Sequence, residues 1–289
     1  MVDIVLNPAT INDAIFQHSV LCQTFLPYKR IEVTEDPKTR MWLHKQGKVS
    51  LSIQCLLDEN PVTGALEYFG LPYGTRGRLI LTYLNSWAVK KQSPVIDVED
   101  TMSGFLKAIG LTKSGRTLEE IKDQLKRINS SVIRVAFRDN NRTVQSDMKI
   151  VSAFDISFSK NQNQRYLWNQ TIKLSDDYFK NLIEHAVPLD ERALIALSHS
   201  PLAMDIYAWL AQRLHKIEKQ QSISWLSLKE QFGENYKTVK KFRERYNIAL
   251  SQAVAQYKGA NIDIDAKGLI LKNSPTPIPA KTTMLKLYK

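Results

Sequence analysis

The chain has only two cysteines in 289 residues, Cys22 and Cys55, and neither belongs to a CxxC or Cys/His spacing. That leaves no disulfide framework and no zinc pattern, so both thiols are expected as small buried apolar groups. Five histidines, His18, His44, His185, His199 and His215, never form the His-hydrophobe-His pair that a metal-dependent nicking nuclease needs beside a tyrosine nucleophile. Tyr178, Tyr207 and Tyr246 are therefore expected in the core or at its rim. Glycine is sparse, and its densest cluster, GLPYGTRG at 70–77, lacks the Lys-Ser/Thr pair of a phosphate loop, so no ATPase is implied. The Asp176–Asp177 pair falls at an expected helix start, where complementarity to the helix dipole explains it. His199, between two serines, has no third group or oxyanion loop to make a nucleophile site. No run approaches the roughly 20 apolar residues of a membrane span, and no signal-peptide pattern opens the chain. The expectation is a cytoplasmic protein without enzymatic activity, cofactor or metal.

What the sequence has in excess is positive charge. Forty Lys and Arg face 29 Asp and Glu, a net charge of +11 with a pI near 9.5. Residues 1–74 carry 6 basic and 8 acidic side chains, residues 75–174 carry 17 and 9, and residues 175–289 carry 17 and 12. The excess thus belongs to the two later segments, and a polyanion such as DNA is its natural partner, because neutralised phosphates release condensed counterions. A membrane surface competes, but no basic amphipathic stretch stands apart from the expected folded units.

The string SISWLSLKEQFGENYKTVKKFRERYNIALSQAVAQYK reads as a helix-turn-helix. Ser227 with Glu230 fits a capping box, Gly233 fits a left-handed helix end, and a second helix is expected from about Thr238. Val239, Phe242, Tyr246, Ala249, Leu250, Ala253 and Tyr257 recur at three and four, one buried stripe. Lys237, Lys240, Lys241, Arg243 and Arg245 crowd the first turns, where the helix dipole disfavours cations by a few tenths to ~1 kcal/mol each. An external anion offsets that cost, and the N-terminal residues of such a second helix are those that meet base edges and phosphates.

Along the chain, residues 8–29 are expected as helix and 48–57 as a strand of period two. GLPYGTRG reads as a hinge. The order that follows is helix (from Arg78 to Lys91), short strand (SPVIDV), helix (DTMSGFLKAIGL), helix (TLEEIKDQLKRI) and the β runs SVIRVAF, MKIVSAFDISF and RYLWNQTIKL. After connecting helices the order returns: MDIYAWLAQRLHKIEKQ, SISW, LSLKEQFG, TVKKFRERYNIALSQAVAQY, and a hairpin turning at Ala266 to Gly268. This repeat of architecture predicts an α+β chain of two tandem winged-helix domains, 71–174 and 175–273. An N-terminal α/β extension (1–70) precedes them and a flexible basic tail (274–289) follows. In the second, Lys267 at the hairpin tip and Lys272 on its returning strand join Thr238 and the basic helix as DNA-binding candidates. In the first, Arg76, Arg78, Lys113, Arg116, Lys122, Lys126, Arg134, Arg138 and Arg142 are candidates for phosphate contacts, although Lys122, Lys126 and Arg127 are balanced by Glu119, Glu120 and Asp123. The edges of SVIRVAF and MKIVSAFDISF are candidates for joining a second chain.

LPYGTRGRLILTYLNSWAV, SGFLKAIGL followed by KSGRT, VPLDERALIALSHSPLAMDIYAWLAQRL and ISWLSLKEQFG occur in the order and spacing of the plasmid-encoded RepA replication-initiator family, which the chain resembles from about Leu71 to Pro275. The resemblance implies paired winged helices that bind repeated double-stranded DNA sites, direct repeats, at a plasmid origin. It also implies opening of an adjacent AT-rich segment, recruitment of the host initiator and helicase, and homodimerisation through the first domain. A winged-helix transcriptional repressor, acting as a copy-number autoregulator, is the alternative built from the same parts.

Overall fold

Seven α-helices and fourteen strands are found among the described residues of the computed structural model, which are 8–60, 63–97, 106, 114–139, 142–146, 148–155 and 171–279. Over 135–139, 142–146 and 154–155 only the backbone is described.

The N-terminal segment departs from expectation. Residues 8–29 hold no α-helix. They form short 3-10 turns around β1 (Ala14–His18), every residue of which is buried. Among its described residues the segment is therefore β with 3-10 turns, and not α/β. β1 pairs antiparallel with a strand expected as helix, β11 (Ala186–Asp190), from Ala14 opposite Asp190 to His18 opposite Ala186. β2 (Met41–Gln46) and β3 (Val49–Cys55) follow, the second as its alternation predicts, and then a small hairpin, β4 (Leu57–Glu59) with β5 (Leu66–Tyr68).

The next span begins with α1 (Gly74–Lys91) and β6 (Val95–Asp97). The helix expected over DTMSGFLKAIGL lies outside the described residues except Leu106, which is buried. α2 (Gly115–Asn129) is amphipathic, with Ile121, Leu125 and Ile128 buried, and Ser114 caps it by accepting the Thr117 N–H. β7 (Ser131–Asp139), β8 (Arg142–Ser146), β9 (Val151–Asp155) and β10 (Thr171–Leu174) complete it. GLPYGTRG is no free hinge: α1 starts inside it, Leu71 is buried, the Tyr73 N–H donates to Gln124 Oε1 and the Gly74 N–H to Pro27 O.

α3 (Asp176–His185) and α4 (Glu191–Ala196) flank β11, and the helix then expected is α5 (Pro201–Arg213), capped by Ser200. β12 (Gln221–Ser224), α6 (Trp225–Phe232), α7 (Val239–Ala255), β13 (Ile262–Ile264) and β14 (Gly268–Leu271) follow in the expected order. The cap of α6 is Ser224, which accepts the Ser227 N–H, and not Ser227 itself. Gly233 is not left-handed (φ −115°); a Cβ there would lie 2.7 Å from both Lys229 O and a Phe242 ring carbon, so close packing of the turn on α7 demands glycine.

Sheet order repeats along the chain. β6-β10-β9 and β12-β14-β13 are both antiparallel three-stranded sheets in which the short strand after the first helix pairs with the last strand of the span. The earlier span carries an insertion, the β7–β8 hairpin, which joins β2 and β3 in the sheet β2-β3-β7-β8. β3 pairs with β7 throughout, Val49 opposite Phe137 to Cys55 opposite Ser131. Val135 to Phe137 thus have strand partners on both sides, while Ser131 to Arg134 pair with β3 alone among the described residues, so the expected free edge of β7 is partly covered.

The N-terminal segment also reaches the second half. Phe25 stacks on Phe232 at 4.8 Å, Trp209 and Tyr246 meet the same ring at 5.4 Å, and His44 Nε2 on β2 lies 2.7 Å from Gln231 O on α6. Buried apolar residues from all three parts form one continuous cluster. Burying a Phe side chain of this kind stabilises by roughly 1.5–3 kcal/mol. The expected flexible tail begins packed: Ser274 and Ile278 are buried, and Tyr257 Oη donates to Pro275 O at 2.6 Å.

Candidate nucleic-acid interface

α7 is fixed from its inner face. Phe242, Tyr246, Ala249, Leu250, Ala253 and Tyr257 are buried, as their spacing predicts, while Val239, expected on that stripe, is 36% exposed at the first helical position. Thr238 caps the helix, its Oγ1 accepting the Lys241 N–H at 3.3 Å. One lone pair of its hydroxyl thus orients the first turn, which leaves the O–H able to donate to a phosphate.

This packing leaves Lys237, Lys240, Lys241, Arg243 and Arg245 exposed together at the N-terminal half of the helix. None makes an ion pair among the described residues. Arg243 is held instead by a ring: its guanidinium carbon lies 4.9 Å from the centroid of Trp225, the first residue of α6. Trp225 does not stand out in the sequence, since the contact crosses two helices. The hairpin β13–β14 stands nearby in sequence, its turn tied by Asp265, whose Oδ1 accepts the Lys267 and Gly268 N–H groups at 2.8 and 2.7 Å. Lys267 is exposed at this turn. Lys272 is half-buried and bonded to Asp263 at 2.7 Å, so its charge is compensated internally.

Cations of the earlier span are arranged differently. Arg116 and Arg76 both reach Glu120 at 3.2 Å, Lys122 reaches Glu119 at 3.4 Å, and Arg127 reaches Asp123 at 2.8 Å. Lys126 lies 5.7 Å from the Phe69 ring. Arg78 is not a surface cation at all: it is 6% exposed and paired with Asp205. Arg134 is exposed on β7, and Arg138 and Arg142 lie at the end of the β7–β8 ladder, described by backbone alone. Lys113 lies outside the described residues.

Tyr178, Tyr207 and Tyr246 are fully buried, and burial pushes each phenol above its ordinary range. Among the described residues no group of three His, Cys, Asp or Glu side chains is placed to hold a metal, and no helix is long and apolar enough to cross a membrane.

The fold and this face define an α+β protein with a concentrated, uncompensated basic helix end. Residues 71–227 match the family model described as plasmid encoded RepA protein, and the chain belongs to that family of plasmid replication initiators. Among solved structures, a crystal structure of selenomethionine derivatives of domains 2 and 3 of RctB superposes with a TM-score of 0.53 at 11% identity, over 88% of this chain and 98% of that one. The likeness shows a shared fold. A second crystal structure of the RctB domains 2-3 matches with a TM-score of 0.46 at 9% identity, over 87% of this chain and 94% of that one. No curated protein sequence matches the chain.

Proposed function

We propose that the chain initiates plasmid replication by binding repeated double-stranded DNA sites at its origin, with α7 as the reader of the major groove. The supporting observation is the set of four exposed cations on the first turns of that helix, with Lys237 just before its cap, none of the five paired with an acid among the described residues. In this reading residues 71–174 and 175–273 are tandem winged-helix domains. The first contributes phosphate contacts through Arg138 and Arg142, which set register without reading sequence. Bound to adjacent repeats, the protein promotes opening of an AT-rich segment and brings in the host initiator and helicase. A homodimer through the first domain would use the outer edge of β8 or β9.

Footprinting on the supercoiled origin of its own plasmid tests the reading. The parent should protect regularly spaced sites, and Lys240→Ala with Lys241→Ala should weaken protection by ~1–3 kcal/mol for each base edge that a lysine reads. Full protection by a folded double variant would remove α7 from the interface.

A further inference from the structure

One carboxylate stands in the middle of this basic face. Glu244 follows Lys241 by three residues and Lys240 by four, and precedes Ile248 by four, so the four side chains share one strip of α7. That strip points away from the core: all four are exposed, Ile248 by 55%, while Phe242 and Tyr246 on the opposite side are fully buried. The spacing to both lysines suits an ion pair, yet Glu244 makes none among the described residues. Elsewhere on this protein pairs at these separations do close, as in Arg116 with Glu120 at four and, in the opposite order, Glu119 with Lys122 at three.

A carboxylate at this place is repelled by phosphate, and among the described residues no direct ion pair with a neighbouring lysine neutralises it. Its electrostatic cost is offset where it accepts a hydrogen bond from a base amine. In the major groove the exocyclic amine of cytosine is the donor that Asp and Glu accept from. Building on the reading of α7 as the groove-facing helix, we infer that Glu244 is a specificity-determining residue that selects one C·G pair in each site. Lys240 and Lys241 flank it toward the helix N-terminus. Ile248, one turn further on, offers an apolar surface of the kind a thymine methyl group packs against.

The probe is a pool of duplexes with a randomised core, selected in parallel by the parent, Glu244→Gln, Glu244→Ala and the Lys240→Ala/Lys241→Ala pair, with all variants checked for parental melting. The parent should enrich one position as C·G over other pairs by about tenfold or more. Glu244→Gln should move that position toward A·T, since an amide suits adenine. Glu244→Ala should leave it degenerate and bind unrelated duplex more tightly, the other positions being unchanged. Tighter binding by either Glu244 variant with a parental sequence profile would overturn the inference, leaving Glu244 a solvated charge. The lysine pair separates the two levels: if it keeps the parental affinity and profile, α7 is not the reader and both readings fall. If it loses affinity while the Glu244 variants keep the parental profile, only the role of Glu244 falls.

Discussion

Arg78 on α1 and Asp205 on α5 form a buried two-point ion pair, Nε to Oδ1 at 2.8 Å and Nη2 to Oδ2 at 2.7 Å, with both side chains under a tenth exposed. The remaining guanidinium hydrogens go to the carbonyls of Leu26, Pro27 and Gly74. One side chain therefore ties the N-terminal segment, the first helix of the earlier span and the first helix of the later one. Removing one partner strands the other charge in the interior, which costs about 3–5 kcal/mol. Arg78→Ala and Asp205→Ala should each lower stability by that amount in urea unfolding. The double variant should fall well short of the sum, because the stranded charge is gone. Additive losses would show that the pair is not coupled.

How much of this is legible in the sequence follows from where periodicity survives. α2 and α7 each bury one side, and the spacing of their apolar residues marks them, whereas α1 and α5 are buried nearly all round and are marked by the length of their apolar runs. β3 alternates and reads as a strand; β1 is buried on both faces, so its AIFQH has no period of two and merges with VLCQTFL into an apolar stretch that reads as helix. The pairing of β1 with β11, and of β3 with β7, spans long stretches of chain and leaves no local trace. At the site, the cations of α7 are visible as a charge run, but their freedom is not. The same run of charges on α2 is paired, and only the geometry separates the two. Trp225 and Glu244 escape a sequence reading because a ring across a helix junction and a single acid among bases do not stand out in a tally.

The phase of α7 gives a paired test. Phe242 is fully buried against Tyr246 and Tyr236, with ring centroids at 5.1 and 5.7 Å. Phe242→Ala should destabilise by ~3–5 kcal/mol through the cavity left behind. Val239→Ala, at an exposed first helical position, should change stability by about 0.5 kcal/mol or less. Equal losses from the two in thermal unfolding would mean that the helix is rotated from the orientation described.

His18 sets a pH dependence. Burial pushes its imidazole from 6.5 down to about 4, although Nε2 lies 2.8 Å from Asn181 Oδ1 and the ring stacks on Tyr178 at 5.2 Å. A folded value below the unfolded one means that the unfolded chain takes the proton first. The stabilisation is therefore complete above about pH 6.5 and is lost as pH falls toward 4, by ~2 kcal/mol between pH 7 and 5. Burial lowers His44 and His215 in the same direction. Guanidinium unfolding at pH 7, 6 and 5 should show this decline, and His18→Gln should shrink it. A parent equally stable at all three values would remove His18 from the account.

The contrast between free and paired cations predicts how DNA affinity responds to salt. Each Lys or Arg that neutralises a phosphate adds about 0.9 to the slope of log affinity against log salt concentration. Lys237 and Arg245 have no ion-pair partner to leave among the described residues, whereas Arg116 and Lys122 must first give up Glu120 and Glu119. Substituting Lys237 and Arg245 with alanine should flatten the slope by about one unit each on any duplex. Arg138→Ala and Arg142→Ala should do the same while leaving base preference untouched, as phosphate contacts carry no sequence information. Arg116→Ala and Lys122→Ala should change the slope by much less than a unit. The measurement is fluorescence anisotropy of one labelled duplex across a salt series. A full unit of slope removed with Arg116 would mean that its ion pair opens on DNA, and that α2 joins α7 in the proposed interface.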